Sequence, residues 1–503
     1  MYETGLIAKE IEKIDISNNP SKEEPARQYW FIKQMRSLVQ DIKGIINRDL
    51  TACVVTFGCQ MNARDSEKIS GILKLAGINL SEDENSDIVI YNTCTVRENA
   101  NLKVYGRLGR LKNFKEKNPH MITVLCGCMM QEEEVVKKLK KSFSNVDIIF
   151  GTYNIYKFSE LLAGKLLERY NDLKAEAASD EGYNFKHKMK IELAEGYDKI
   201  VEELPKERKY SFKSGVNIMF GCNNFCTYCI VPYVRGREIS REPEDIIEEI
   251  EALAADNVKE VMLLGQNVNS YGRGLKNEIS FAELLTRVCR VEGIERVRFM
   301  TSHPKDLSDE LIEVMAREEK VCNYLHLPVQ CGSTKLLQKM NRHYTKEDYM
   351  LLVQKIKDKI PDISLSTDII VGFPGETEED FEETLDVIEK SRYSSVFTFQ
   401  YSKRTGTPAA KMENQIPDDV VKERFERLLA LVNKITSEIS LKDVGSVQKV
   451  LVEGIDSHDE KLVTGRTEKN YLVHFEGDKE LIGNIVDVRL VESKGFYFLG
   501  EKI

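Results

Sequence analysis

The sequence predicts an α/β protein in three folded parts: an N-terminal domain built on a parallel sheet, a central partial (β/α)6 barrel, and a small C-terminal β-barrel. Three observations predict this. From about residue 50, short apolar strands alternate with helical runs. After a charged interval, a second series of six strand–helix units follows. From residue 441 the pattern changes to short strands separated by turns.

The first series contains ACVVTFGC, DIVIYNTC, MITVLCGC and VDIIFGT, with helical runs such as SEKISGILKLAG between them. Apolar strands joined by crossover helices imply a parallel sheet covered on both faces. The second series is GVNIMFGC, VKEVMLLGQ, RVRFMTSH, NYLHLPVQ, SLSTDIIVGF and SSVFTFQYS, separated by runs such as PEDIIEEIEALAA. Six units in a row predict a barrel or an open partial barrel. The tail, with KVLVEGI, LVTGRT, YLVHFEG, IGNIVDVRLV and GFYFLGE, has the dimensions of a five-stranded barrel of the oligonucleotide-binding type. The expected boundaries are 1–49 for a polar N-terminal extension, 50–168, 169–207 for a linker, 208–438, and 441–503. In the extension only QYWFIKQMRSLVQDI carries a helical pattern. Composition favours partial disorder there, and the alternative is a strap anchored by Tyr29, Trp30 and Phe31.

A chain of 503 residues at 42% hydrophobic and 31% charged is expected to be globular with two to four domains. Its net charge of -10 argues against a DNA-coating surface, so any nucleic-acid contact must use local basic patches. No apolar run is long enough to span a bilayer and the start lacks a secretory layout, so a cytoplasmic location is expected, with no membrane partner. Eleven cysteines, several clustered, fit metal ligation better than a disulfide framework in such a chain.

In GCNNFCTYC, Cys222, Cys226 and Cys229 are spaced C-x3-C-x2-C on a loop just after a strand. Three thiolates there can hold three irons of a 4Fe-4S cube and leave the fourth open to a substrate. Structural zinc is the alternative, but it takes four protein ligands and no fourth Cys or His lies nearby. The spacing, with Tyr228 before the last cysteine, resembles the radical S-adenosylmethionine superfamily. That resemblance implies a reduced cluster that cleaves S-adenosylmethionine to a 5'-deoxyadenosyl radical. Cofactor contacts are expected at the carboxyl ends of the strands, from Tyr228, Gln266, Asn267, Ser302, Gln330 and Asp368, with His303 beside them. Each has a plain alternative as a strand-end or turn residue.

Cys59, Cys94 and Cys128 each end an apolar strand, 35 and 34 residues apart, one βα unit apiece. Equivalent strand ends lie along one edge of a parallel sheet, where such folds bind ligands, so these thiolates are candidates for a second cluster. The alternative is three buried cysteines acting as small apolar side chains. Cys53 and Cys126, inside strands, are read in that way, and Cys289, Cys322 and Cys331 are likewise expected not to be ligands.

TFGCQMN, YNTCTVRENA and LCGCMMQ resemble the N-terminal domain of methylthiotransferases, and MFGCNNFCTYCIVPYVRGREISR resembles the radical domain of their tRNA branch. The similarity runs from about residue 50 to 503 and its last segment resembles a TRAM domain. What this implies is two 4Fe-4S clusters and two molecules of S-adenosylmethionine. One methylates a sulfur carried on the auxiliary cluster, and the other generates the radical that removes hydrogen from adenosine C2. The implied substrate is tRNA containing N6-isopentenyladenosine at position 37, served by an external electron donor and sulfur source. No acid–base pair is required. Alternatives within the family are N6-threonylcarbamoyladenosine in tRNA and an aspartate of a ribosomal protein. Outside enzymes, the alternative is an RNA-binding protein with a structural cluster.

VRENANLKVYGRLGRLKNFKEK carries Arg97, Lys103, Arg107, Arg110, Lys112, Lys115 and Lys117 against only Glu98 and Glu116. Such a helix beside Cys94 can steer phosphates, and an ordinary solvated face is the alternative. Tyr233 in VPYVRGRE is the candidate platform for a flipped base. The C-terminal barrel carries acids such as Asp456, Asp459 and Glu460, so an RNA role there rests on the resemblance.

Overall fold

The structure, a computed structural model, describes residues 2–95, 98–179, 188–197 and 199–503. The chain forms two compact units, one of residues 1–210 with Ile230–Arg237, the other of Ser211–Cys229 with Glu238–Ile503.

In the first unit, helices α1 (Tyr2–Lys13) and α2 (Ala26–Ile46) precede strand β1 (Thr51–Thr56). There follow α3 (Gln60–Leu75), β2 (Asn79–Leu80), β3 (Ile88–Thr93), α4 (Glu98–Lys117), β4 (Ile122–Gly127), α5 (Glu133–Ser142), β5 (Ile148–Phe150), α6 (Phe158–Ala177), β6 (Lys190–Glu192) and the short α7 (Val231–Arg235). The strands form one parallel sheet in the order β2-β1-β3-β4-β5-β6. Every residue of β3 and β4 is buried, because helices cover both faces. The side chains alternate between two apolar clusters. Ile90, Val124 and Cys126 lie in one, while Cys53, Tyr91 and Leu125 lie in the other.

Two expectations change here. Residues 26–46 are a helix packed into the core, not a disordered extension. Tyr29, Ile32, Met35, Val39 and Ile42 recur at helical spacing and are buried, and the Tyr29 hydroxyl donates to the Glu203 carbonyl at 2.6 Å. Lys33, Arg36 and Asp41 interrupt that apolar stripe in sequence, which hides it from composition. The interval read as a linker contributes structure too. Helix α6 runs on to Ala177, β6 adds the sixth strand beside β5, and Val201 and Leu204 join the core.

The second unit begins with β7 (Lys213–Asn217), β8 (Met219–Phe220), β9 (Ile239–Ser240), α8 (Pro243–Ala255), β10 (Glu260–Leu264), α9 (Phe281–Cys289), β11 (Arg296–Phe299) and α10 (Asp309–Arg317). It continues with β12 (Tyr324–His326), α11 (Thr334–Lys339), α12 (Lys346–Lys359), β13 (Ser364–Val371), α13 (Glu378–Ser391), β14 (Ser395–Gln400) and α14 (Asp418–Asp443). Six parallel strands run in chain order, β7-β10-β11 and β12-β13-β14, joined by a parallel bridge between Val297 and Val321. Side-chain caps fix the helix starts. Thr345 opens α12 and Thr377 opens α13 through reciprocal bonds with Asp348 and Asp380. Last come β15 (Val447–Ile455), β16 (Leu462–Thr467), β17 (Leu472–Glu476), β18 (Ile485–Ser493) and β19 (Tyr497–Lys502), closed as β15-β16-β17-β19-β18 around Val450, Val463, Phe475 and Phe498. Arg296 and Arg298 of β11 tie this barrel to the six strands, donating to the carbonyls of Lys449, Arg466, Thr467 and Glu468 at 2.6–3.0 Å. Among the described residues no helix is long and apolar enough to cross a membrane.

Candidate metal centres

In the first unit, Thr56 pairs with Asn92 and Thr93 pairs with Gly127, so β1, β3 and β4 end along one edge. The sheet order reverses between β1 and β3, the place where doubly wound sheets open a crevice. Cys94 follows β3 directly, Cys128 follows β4 directly, and Cys59 precedes the first residue of α3.

Glycines make this packing possible. Gly58 has φ +126°, and a Cβ there would lie 2.4 Å from the Cβ of Cys94. Gly127 has φ +94°, and a Cβ there would lie 2.3 Å from the Thr93 carbonyl oxygen. Asn62, fully buried in the first turn of α3, connects the set. Its Oδ1 accepts from the thiols of Cys59 at 3.5 Å and Cys128 at 3.9 Å, and from Arg235 Nη2 at 2.9 Å. Its Nδ2 donates to the Thr93 carbonyl at 2.9 Å. Burial pushes the Cys128 thiol up to about 12; Arg235 opposes this, and the neighbouring Cys94 and Cys59 add to it.

In the second unit, the loop after β8 carries Cys222, Cys226 and Cys229, with Gly221 before them at φ +71°. The backbone N–H of Cys229 donates to the Cys226 carbonyl at 2.9 Å, forming a tight turn. The segment between α11 and α12 braces the loop. Asn341 Nδ2 donates to the carbonyls of Asn224 and Phe225 at 3.0 and 3.1 Å, and the Thr227 N–H donates to the Met340 carbonyl at 3.1 Å. Arg342, buried, donates to Cys226 Sγ at 3.4 Å and to the Pro328 carbonyl at 2.7 Å. Burial pushes the Cys222 thiol up to about 11; the Asn224 backbone opposes this.

Among the described residues no three His, Cys, Asp or Glu groups close on a single ion. The fit to a polynuclear cluster therefore rests on the shared partners and the glycine-made space. Asn62 and Arg235 gather around Cys59 and Cys128 at the first place, and at the second Arg342 and Asn341 brace the loop that carries three thiols.

The strand-end candidates of the second unit divide by what they already bind. Asn267 is spent on structure, donating to Asp306 Oδ2 at 2.8 Å and accepting from the His303 N–H at 3.1 Å. Gln330, at φ +77°, bridges to β13 through its backbone. Asp368 lies 3.5 Å from His326 Nε2. Gln266 follows β10 half-buried, and Tyr228 is half-buried against the barrel core. Ser302 Oγ and His303 Nε2 are buried without a hydrogen-bond partner, as polar groups awaiting a ligand would be. Burial holds the His303 imidazole far below its usual range, with Arg342 adding to the effect, so it stays neutral.

The basic helix is less free than its sequence implies. Arg107 and Arg110 both pair with Glu84, at 2.6 and 3.4 Å, and Lys115 is buried against Asp147. Lys103, Lys112 and Lys117 remain exposed, while Arg97 lies outside the described residues. Tyr233 on α7 is 47% exposed. Sequence reading missed Asn62, Arg235 and Arg342. Asn62 stands three residues after Cys59 and Arg235 lies in VPYVRGRE, six residues after Cys229, while nothing local marks Arg342.

Comparison with known proteins defines the class first. The radical SAM superfamily matches residues 216–388, the TRAM domain matches 441–503, and the uncharacterized protein family UPF0004 matches 51–151. The structure of the radical S-adenosylmethionine methyltransferase TsrM from Kitasatospora setae is similar in fold, with a TM-score of 0.50 at 15% identity, covering 72% of this chain and 74% of that one. The tRNA-2-methylthio-N(6)-dimethylallyladenosine synthase of Lachnoclostridium phytofermentans is 59% identical, covering 92% of this chain and 98% of its own length. That of Clostridioides difficile is 54% identical, covering 88% and 90%. The chain belongs to the tRNA-2-methylthio-N(6)-dimethylallyladenosine synthase family, a family of radical SAM methylthiotransferases.

Proposed function

We propose that the protein adds a methylthio group to C2 of N6-isopentenyladenosine at position 37, in the anticodon loop of tRNA. The observation that carries this reading is the presence, in one chain of this family, of two separate three-cysteine sets, the first with two positive-φ glycines and the second with one, each with a buried arginine on a cysteine sulfur. Cys222, Cys226 and Cys229 would hold one 4Fe-4S cluster, and Cys59, Cys94 and Cys128 the other. When bound, the loop cluster supplies the electron that cleaves S-adenosylmethionine, and the auxiliary cluster supplies the site from which sulfur is delivered. Three protein ligands per cluster leave one iron open for those tasks.

The chain's own residues position and shield. Ser302 Oγ and neutral His303 Nε2 offer buried hydrogen-bonding groups at the end of β11, where a polar cofactor can satisfy them. Lys103, Lys112 and Lys117 offer exposed charge to RNA phosphates, and Tyr233 offers a ring on which a base can stack. Electrons and replacement sulfur come from outside the chain. The test is anaerobic reconstitution with iron and sulfide, then reaction with dithionite, S-adenosylmethionine and an isopentenylated anticodon stem-loop. Mass spectrometry should find the 2-methylthio nucleoside. Product only from a threonylcarbamoylated stem-loop would overturn the substrate assignment.

A further inference from the structure

Arg235, the last residue of α7, is 3% exposed. Its guanidinium donates from Nε to Cys128 Sγ at 3.1 Å and from Nη2 to Asn62 Oδ1 at 2.9 Å, and its Nη1 lies 3.7 Å from Met61 Sδ. An arginine stays charged inside a protein, and burying a cation without a counter-charge is costly. Among the described residues its carboxylate partner at salt-bridge distance is Asp65, at 3.7 Å, farther off than the Cys128 sulfur. The Cys128 sulfur therefore accepts from this guanidinium more closely than Asp65 does, and as an iron ligand it would be a thiolate. The planar fork also bonds two neighbouring groups at once, the Cys128 sulfur and the Asn62 oxygen that accepts from both Cys59 and Cys128. A lysine cannot reproduce that geometry.

We infer that Arg235 is a positioning residue for the auxiliary cluster, which fixes Cys128 and Asn62 in place and raises the cluster's reduction potential by donating to its thiolate. The inference rests on the reading of Cys59, Cys94 and Cys128 as ligands. Hydrogen bonds and positive charge at cluster sulfurs stabilise the reduced, more negative state, which is why they raise the potential.

The test uses the full chain with Cys222, Cys226 and Cys229 changed to Ala, so that one cluster remains. Into it are placed Arg235→Met, which keeps the stem and loses the charge, and Arg235→Lys, which keeps the charge and loses the fork. Iron content, circular dichroism and a redox titration followed by electron paramagnetic resonance are measured on each. The expected result is a lower potential in Arg235→Met than in the parent, with Arg235→Lys between them and the fold unchanged. If Arg235→Met holds no iron, Arg235→Lys decides, and a potential below the parent's supports the inference. A parental potential in whichever variant loads overturns it, whereas failure of both to load with the fold unchanged supports the positioning role. If the parent itself holds no iron, the ligand assignment fails and takes the inference with it, an outcome distinct from an unchanged potential.

Discussion

Arg342 donates from Nη1 to Cys226 Sγ at 3.4 Å, the counterpart in the second unit of the 3.1 Å bond from Arg235 to Cys128 in the first. Each unit thus buries a guanidinium against the thiol of a proposed ligand. Arg342 is held in turn by Pro328 and by the Tyr344 hydroxyl at 3.0 Å, so it cannot swing away. A sulfur that would carry negative charge as an iron ligand would there meet a cation that cannot lose its proton.

Iron content tests the two sites directly. The chain with Cys222, Cys226 and Cys229 changed to Ala should retain about half the iron of the parent after reconstitution, on the four-irons-per-cluster stoichiometry. Loss of all the iron, or of none, would contradict two independent sites.

The division of labour between the clusters has its own signature. With Cys59, Cys94 and Cys128 changed to Ala, the chain should still release 5'-deoxyadenosine from S-adenosylmethionine in the presence of dithionite, yet form no methylthio product. The reciprocal triple change should abolish both. Full methylthiolation by the first variant would sink the proposed mechanism.

Cys126 separates a core cysteine from the proposed ligand two residues away, Cys128. Its side chain lies in the apolar core, while Cys128 packs with Ile230 and Val234. Cys126→Ala should cost about 1 kcal/mol in stability through the small cavity it leaves, with cluster absorbance unchanged. A lost cluster spectrum would reverse the choice between the two.

Gly58→Ala should disrupt the auxiliary site selectively. The added methyl would meet the Cys94 side chain at 2.4 Å, on a backbone at φ +126°. The strain should reach about 1–3 kcal/mol. Iron content should fall toward half while reductive cleavage of S-adenosylmethionine persists. Full iron content would show that the crowding is relieved elsewhere.

Asp87 makes acid stability testable. Burial alone would raise its pKa, but Arg48, Arg169 and the Thr51 N–H hold it well below the usual carboxylate range. A carboxyl depressed in the folded state stabilises above its unfolded pKa of about 4 and loses that contribution as the pH falls toward the folded value. Asp87→Asn should therefore cost about 3–5 kcal/mol near neutrality. The gap in thermal midpoint between variant and parent should narrow as the pH is lowered below about 4. A gap that stayed constant with pH would show that charge contributes nothing.

The fold class was legible because it is written in local period. Strands such as IVIYNT and ITVLCG are unbroken apolar runs, as central parallel strands must be, and the turn to short strands after residue 441 marks the closed barrel. The two cysteine sets were legible for a related reason: one is a short-range spacing and the other recurs once per βα unit. Helix α2 and strand β6 were not legible. The first dilutes its apolar face with charge, and the second is three half-buried residues that pair only because β5 lies beside them.

By itself, then, the sequence determined which residues bear sulfur, which strands carry them to one edge, and that glycine precedes Cys59, Cys128 and Cys222. Only the tertiary structure decided their surroundings. Arg235 reaches Cys128 across 107 residues and Arg342 reaches Cys226 across 116, while Glu84 takes up Arg107 and Arg110, which the sequence offered to RNA. Spacing along the chain records what a helix or strand repeats every few residues. A charge pair between distant segments leaves no such period, because it forms only after packing has brought the two side chains together and removed the water between them.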